Sequence, residues 1–317
     1  MSVKEIDILV VAEINPDIVL TGNIQPDYGQ VETLINDYSL TIGSSGAIFA
    51  CGASRLGLKV ALVGVVGDDP FGHFILDRLK SRGVDISGCI INPSLKTGLS
   101  VILNRKEDRA ILTYAGTMQV LKAKQVDRDL FKRARHIHVT SCFLQDELRP
   151  DLPDLLAEAH RYGMSVSIDT NWDPKEEWND NITSVLSQTD IFLPNEYEAC
   201  AISQQPNIET AIDFLAGIVP IVAIKRGKFG AIAQDADKLL FCKTVSVEVV
   251  DTTGAGDSFD AGFLFGLLKG YPLENALRLG CICGALSTRA LGGTDAQPTL
   301  EEAIDFLSKQ EFGLRSK

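Results

Sequence analysis

Short apolar runs of strand length alternate along the chain with longer segments of helical period. Residues 6–12, apolar but for Asp7, and residues 60–66 are short apolar runs, which predicts two buried strands. Between them, residues 47–56 carry small and apolar side chains and stop at Gly57, the pattern of a helix closed by a glycine. An amphipathic helix is expected over residues 71–81, ending near Gly83. Residues 31–42 alternate in a strand-like way. Residues 97–103 and 110–115 flank a polar stretch, which signals a hairpin. Further on, strand-like runs at 136–140, 165–169, 191–194, 221–225 and 243–250 alternate with helical segments at 152–161, after residue 194 and at 261–269.

This alternation predicts an α/β fold whose mostly parallel central sheet is covered by helices on both faces. Segments 18–42 and 97–115 depart from it and suggest a small β element standing off the main sheet. No repeat or linker divides the 317 residues, so a single domain over 1–317 is expected.

Composition narrows the function. The formal net charge is −12 and no basic stripe is present, so no nucleic-acid partner is expected. No apolar run has the length of a membrane span, and no leader is expected ahead of the first strand. Seven scattered cysteines suit reduced thiols and a cytoplasmic location, and Cys281-Ile282-Cys283 lacks the second pair a zinc site needs.

The strongest chemical signal is Asp251-Thr252-Thr253-Gly254-Ala255-Gly256-Asp257-Ser258-Phe259, which runs into a helical pattern. A small-residue loop at a helix N-terminus exposes unpaired N–H groups that favour an anion. Asp257 beside them suits proton abstraction from a hydroxyl that attacks a phosphoryl group. A glycine-rich helix cap with an N-cap aspartate explains the same residues, and spacing alone leaves both readings open. Asn195 and Glu198, three residues apart, read as a helix cap or as oxygen ligands on one helix face. Lys225 to Gly230 reads as an exposed turn, and Asp17 after Pro16 as a turn aspartate. His136 and His138 share a strand face, where a structural role is expected.

The nonapeptide around Asp257 resembles the second signature of the ribokinase-like, or PfkB, carbohydrate kinases. Other segments match in order. Gly43-Ser44-Ser45-Gly46-Ala47, followed by Arg55-Leu56-Gly57, resembles the glycine-rich first signature. Residues 63–72 resemble the segment after it. Asn195-Glu196-Tyr197-Glu198 resembles the family's NxxE motif, and Lys225-Arg226-Gly227-Lys228-Phe229-Gly230 its K-x-G-x-x-G turn.

The resemblance implies a ribokinase-like three-layer α/β/α sandwich with a β-sheet lid, and ATP-dependent phosphorylation of a small sugar. By it, Asp257 is the base, and the amides of Gly254, Ala255 and Gly256 are the anion hole. Asn195 and Glu198 organise Mg2+ through water. Lys225, Gly227, Gly230 and Cys281 line the nucleotide site. Asp17, with Gly43, Ser44, Ser45 and Gly46, holds the acceptor. Many relatives bind a monovalent cation, for which Asp251, Thr253, Ser287 and the carbonyl region of Gly292 are the candidates for K+. Family lids often pair across a homodimer.

Two departures stand out. Ser44 replaces a glycine of the first signature, and Ile48 stands where an asparagine is common, which suggests a less polar acceptor. Asp173 replaces the arginine of an Asp-x-Asn-x-Arg stretch, leaving Asp169 or Asn171 for the metal's outer shell. The acceptor stays open among a pentose, a ketohexose, a sugar acid and a polyol. A nucleoside kinase is the nearest rival, and a catalytically silent sensor of sugar or nucleotide the second. A phosphosugar acceptor needs a cationic clamp, for which Arg105, Lys106 and Arg109 are the only supply; these read instead as a solubilising hairpin tip.

Overall fold

A strand flanked by other strands and covered on both faces is largely apolar, and residues 6–11 are so apart from the half-buried Asp7 near the strand's start. In the computed structural model, which describes residues 4–105, 108–179, 181–236, 238–309 and 315–316, this strand lies inside a nine-stranded sheet. The spatial order is Arg315–Ser316, Lys238–Cys242, Ala231–Asp235, Ile221–Lys225, Ile191–Phe192, Ser165–Asp169, Ala134–Thr140, Ile6–Val11, Val60–Val63. The six strands from Ile221–Lys225 to Val60–Val63 run parallel, and the remaining three pair antiparallel.

Strand alternation feeds two cores. Ile8 and Val10 pack on one face with helices Ser45–Arg55, Pro70–Ser81, Ala255–Leu268 and Leu273–Ser287; Leu9 and Val11 pack on the other with helices Leu152–Arg161 and Ile208–Ala216. Helix, sheet and helix therefore form three layers. His136 and His138 are fully buried and bond the hydroxyls of Ser165 and Ser167 on the next strand. Burial lowers both rings to about 3, so they stay neutral struts.

A second sheet has the order Asp37–Ile42, Pro16–Thr21, Leu99–Arg105, Asp108–Tyr114. Its register places Asp17 beside Ser100 and Ser100 beside Thr113, with Ile102 opposite Ile111. These side chains share one face because the side-chain period of a strand is two. Asp69 ties the sheet to the main body: it caps helix Pro70–Ser81 through Gly72 N–H and accepts both the N–H and the hydroxyl of Thr97.

Two expectations need correction. Of residues 31–42, only Asp37–Ile42 form a strand, because residues 26–36 are polar, turn-rich and largely exposed. Residues 243–250 are extended but join no ladder; the strand is Lys238–Cys242. The later stretch instead passes along a cleft, which Val245 and Val247 line.

Candidate active site

The parallel strands deliver their C-terminal ends to one cleft of about 1190 Å3, roofed by the small sheet. Glu13 and Asn15 follow the first strand, Ser141 follows Ala134–Thr140, Asp169 closes Ser165–Asp169, and Lys225 closes Ile221–Lys225. Open α/β sheets bind ligands at this edge, where neighbouring connections diverge.

Gly254 caps helix Ala255–Leu268 at φ 71° with no side-chain hydrogen bond. Positive φ favours glycine, and a Cβ there would come within 2.8 Å of Ile48 Cγ2 and Gly293 Cα. The first N–H groups of the helix have no intrahelical acceptors and no capping side chain. At Gly256 an added Cβ would meet only Lys225 among its three nearest atoms, at 3.5–3.8 Å. The loop is thus tight beneath and open toward the cleft, the shape an anion needs. Ile48 packs against this loop and also lines the cleft, where its apolar side chain stands in place of the expected asparagine.

Asp257 is buried in the first turn of the same helix and lines the cleft. Burial, then the charge of Asp169, raises its carboxyl to about 7, against the pull of Lys225 and a hydrogen bond from Ser45. A carboxylate poised near neutrality beside open amides can accept a hydroxyl proton while the amides hold an anion.

Lys225 is not part of an exposed turn. Its Nζ lies 2.6 Å from Asp169 Oδ2 and 3.1 Å from Asp260 Oδ2. Burial disfavours its charge, but Asp169, Asp260 and Glu198 outweigh burial and hold the ammonium above the ordinary lysine range. Burial also opposes ionisation of Asp169, yet Lys225 keeps that carboxyl below its ordinary value, while burial pushes Asp260 well above. Two carboxylates at one site do not readily both ionise. Behind Lys225 the chain makes a short 3-10 turn, Gly227–Phe229, and Gly227 and Gly230 reach the cleft.

Asn195 and Glu198 cap a helix and face the cleft as well. Asn195 Oδ1 accepts Glu198 N–H at 2.9 Å and Glu198 Oε2 accepts Asn195 N–H at 2.8 Å, a reciprocal capping box. Both residues also line the cleft, and burial, then Asp169, raises Glu198 to about 7. Among the described residues no three His, Cys, Asp or Glu side chains converge as a metal cage. Sparse oxygen donors fit a Mg2+ that keeps most of its water and is held chiefly by phosphates.

The candidates for a monovalent cation are partly dispersed. Asp251 bonds Thr253 N–H and hydroxyl through Oδ1, and Gly292 N–H through Oδ2. Ser287 bonds Gly284 O within its own helix instead. Asp251 is thus a clamp on the loop leading to Gly254.

At the other end of the cleft, Asn15 Nδ2 donates to Asp17 Oδ1 at 3.0 Å. Gly43 is a glycine because a Cβ would collide with the Asp17 carboxyl. Burial raises Asp17 to about 7, against the opposing charge of Arg109. Ser44 caps helix Ser45–Arg55 and donates to Glu13 O at 2.6 Å. Asn171 Nδ2 donates to Ser45 Oγ at 2.5 Å and to Ser141 Oγ at 2.9 Å. Gly46 packs its Cα onto Ala12, setting the helix hard against the first strand. Cys281, buried, forms part of the opposite wall.

Three residues were missed or misread in the sequence. Arg109 is not merely a solubilising charge: it reaches down from the small sheet and donates to Thr253 Oγ1 at 2.7 Å. Lys106 lies outside the described residues. Glu13 is buried in the cleft wall, with Oε1 accepting Ser45 N–H and Oε2 left without a partner. Asp260, one turn after Asp257, stands out only as an acid in an otherwise apolar helix. Asp173, by contrast, serves its own loop. It is buried and accepts the N–H groups of Lys175, Glu177 and Trp178, folding the chain after Asn171.

Comparison with known proteins agrees with this geometry. The pfkB family carbohydrate kinase profile matches residues 5–300. A 2-dehydro-3-deoxygluconokinase of Bacillus subtilis is 32% identical over 90% of this chain and 91% of its own length. A 5-dehydro-2-deoxygluconokinase of Geobacillus thermodenitrificans is 30% identical over 84% of each. An E. coli protein described as a ribokinase II, solved with ATP and Mg2+, superposes with a TM-score of 0.85 at 27% identity, covering 96% of this chain and all of the other. The chain belongs to the pfkB family of carbohydrate kinases.

Proposed function

We propose that this carbohydrate kinase transfers the terminal phosphoryl group of ATP to a hydroxyl of a sugar acid, with Asp257 as the base. The observation that carries the chemistry is the buried Asp257 carboxyl at the open N-terminus of helix Ala255–Leu268. In this reading the acceptor hydroxyl gives its proton to Asp257 as its oxygen attacks. The amides of Gly254, Ala255 and Gly256 hold the charge on the transferring group, a contribution of roughly 3–4 kcal/mol per well-placed donor. Mg2+, when bound near Asn195 and Glu198, neutralises phosphate charge. The lid side chains Ile102 and Ile111 exclude water from the acceptor.

Arg109 supports the acidic acceptor. Asp17 and Asn15 can bind hydroxyls, and Arg109 brings a guanidinium to the same end of the cleft. The relatives from B. subtilis and G. thermodenitrificans are both named for dehydro-deoxygluconate acceptors. A nucleoside acceptor, which the apolar Ile48 in the cleft wall would tolerate, is the rival reading that the same acceptor panel tests. The test is ADP release from MgATP, with and without K+, against a panel of keto-sugar acids, ketohexoses, pentoses, polyols and nucleosides. Turnover confined to sugar acids is expected; faster turnover of neutral sugars or nucleosides overturns the acceptor assignment.

A second copy of the chain is the proposed partner of the lid. Tyr38, Leu112 and Tyr114 are exposed on its outer face, and burying such a face favours association. Light scattering should give twice the chain mass, and Leu112→Glu should return it to one.

A further inference from the structure

Buried lysines are costly unless paired, and Lys225 is paired twice, with two carboxylates that are each 1% exposed. A purely structural bridge needs one partner and no access to the cleft. Lys225 departs from that on both counts: it lines the cleft, its own side chain keeps 12% exposure, and it is the group facing the open side of Gly256. Gly256 lies in the first turn of helix Ala255–Leu268, where Ala255 N–H reaches back to Thr252 O at 3.3 Å and no side chain caps the turn, so the ammonium and this turn look onto the same space.

We propose that Lys225 contacts the phosphoryl group during transfer, and that Asp169 and Asp260 are positioning residues that hold its ammonium beside Gly256. This rests on the reading of residues 254–257 as the transfer site.

The two carboxylates hold the ammonium from two elements: Asp169 closes its strand, and Asp260 stands one turn after Asp257 on helix Ala255–Leu268. Burial opposes ionisation of both; the Lys225 charge outweighs it at Asp169 and not at Asp260. An arriving phosphate can share the ammonium with Asp169. A lysine donates as a compact point charge, which suits a group that changes geometry as it moves.

The test compares Lys225→Met, Lys225→Arg, Asp169→Asn and Asp260→Asn with the wild-type enzyme. ADP and a non-hydrolysable ATP analogue are titrated calorimetrically beside steady-state kinetics. Lys225→Met is expected to lower kcat roughly 10²–10³-fold, the loss seen when one charge-stabilising donor is removed. It should weaken the analogue by about tenfold or more while leaving ADP, which lacks the transferred group, nearly unchanged. Asp169→Asn and Asp260→Asn each remove one hold on the ammonium and should lower kcat in the same sense as Lys225→Met. Should Lys225→Met fail to fold, the double variant Lys225→Met/Asp169→Asn removes the ion pair as a unit and is read the same way. Retained kcat in Lys225→Met, or equal weakening of ADP and analogue, overturns the proposal, as do Asp169→Asn and Asp260→Asn variants that both keep wild-type kcat. Asp257→Asn is the control: if it alone keeps full activity, the transfer-site reading fails rather than the role of Lys225.

Discussion

Arg109 of the lid donates to the hydroxyl of Thr253, 144 positions away, at 2.7 Å. The contact joins the small sheet to the loop that enters the anion site, because Thr253 immediately precedes Gly254 and is itself held by Asp251. In the proposed reaction, this one guanidinium links the acceptor end of the cleft to the phosphoryl end.

Removing that guanidinium should act on the acceptor. A hydrogen bond to a charged group contributes about 1.5–3 kcal/mol, so Arg109→Ala should raise KM for a sugar acid by roughly 10–150-fold. KM for ATP and turnover of a neutral ketohexose should change far less. Equal losses for acidic and neutral acceptors would show that Arg109 only closes the lid.

The pH dependence follows from Asp257. A base must be ionised, and burial, followed by Asp169, raises this carboxyl to about 7. Activity should therefore fall as pH drops below about 7, with one proton taken up on the acid limb of kcat/KM. A profile flat from about pH 5 to 8 contradicts the assignment.

Glu13 makes a stability prediction of defined sign. Burial raises its carboxyl from 4.5 to about 8. The folded state therefore holds a proton that the unfolded chain releases near 4.5. This contribution is complete below 4.5 and is lost as pH climbs through about 8. Glu13→Gln keeps the shape without the titration. Its melting temperature should gain on that of the wild type between pH 5 and 8; a constant gap removes Glu13 as a buried, protonated acid.

Ser44 holds φ 63° and ψ 126°, a backbone region that suits glycine. It stays there because its hydroxyl bonds Glu13 O and accepts Ala47 N–H. Relief of strain worth about 1–3 kcal/mol opposes a lost cap worth only a few tenths when glycine replaces serine. Ser44→Gly should raise the melting temperature, and a clear fall would mean that the Glu13 bond dominates.

What the sequence made legible follows from how each residue announces itself. The parallel strands were visible because strands covered on both faces are continuous apolar runs, as in Val60–Val63. Gly254 and Asp257 were visible because a tight anion loop permits few residue types. Glu13 and Asp260 were not singled out and Arg109 read as a solubilising charge, since each acquires its role from a residue distant in sequence: Ser45, Lys225 and Thr253. Ile48 and Asp173 looked like substrate-site departures. In the fold, Ile48 lines the cleft as it packs against the Gly254 turn, while Asp173 fastens its own loop, which no local pattern could distinguish. Residues 243–250 carried a strand pattern but line the cleft wall without a pairing partner, so burial came without a ladder.

The central claim is that Asp257 takes the proton from the acceptor hydroxyl. Its most direct test is single-turnover phosphoryl transfer from MgATP to the best sugar acid, comparing wild type with Asp257→Asn. The account predicts a rate lower by roughly 10²–10⁴-fold, the span of general-base catalysis, with ATP binding retained. A variant that transfers phosphoryl at close to the wild-type rate would contradict it and move the base elsewhere in the cleft.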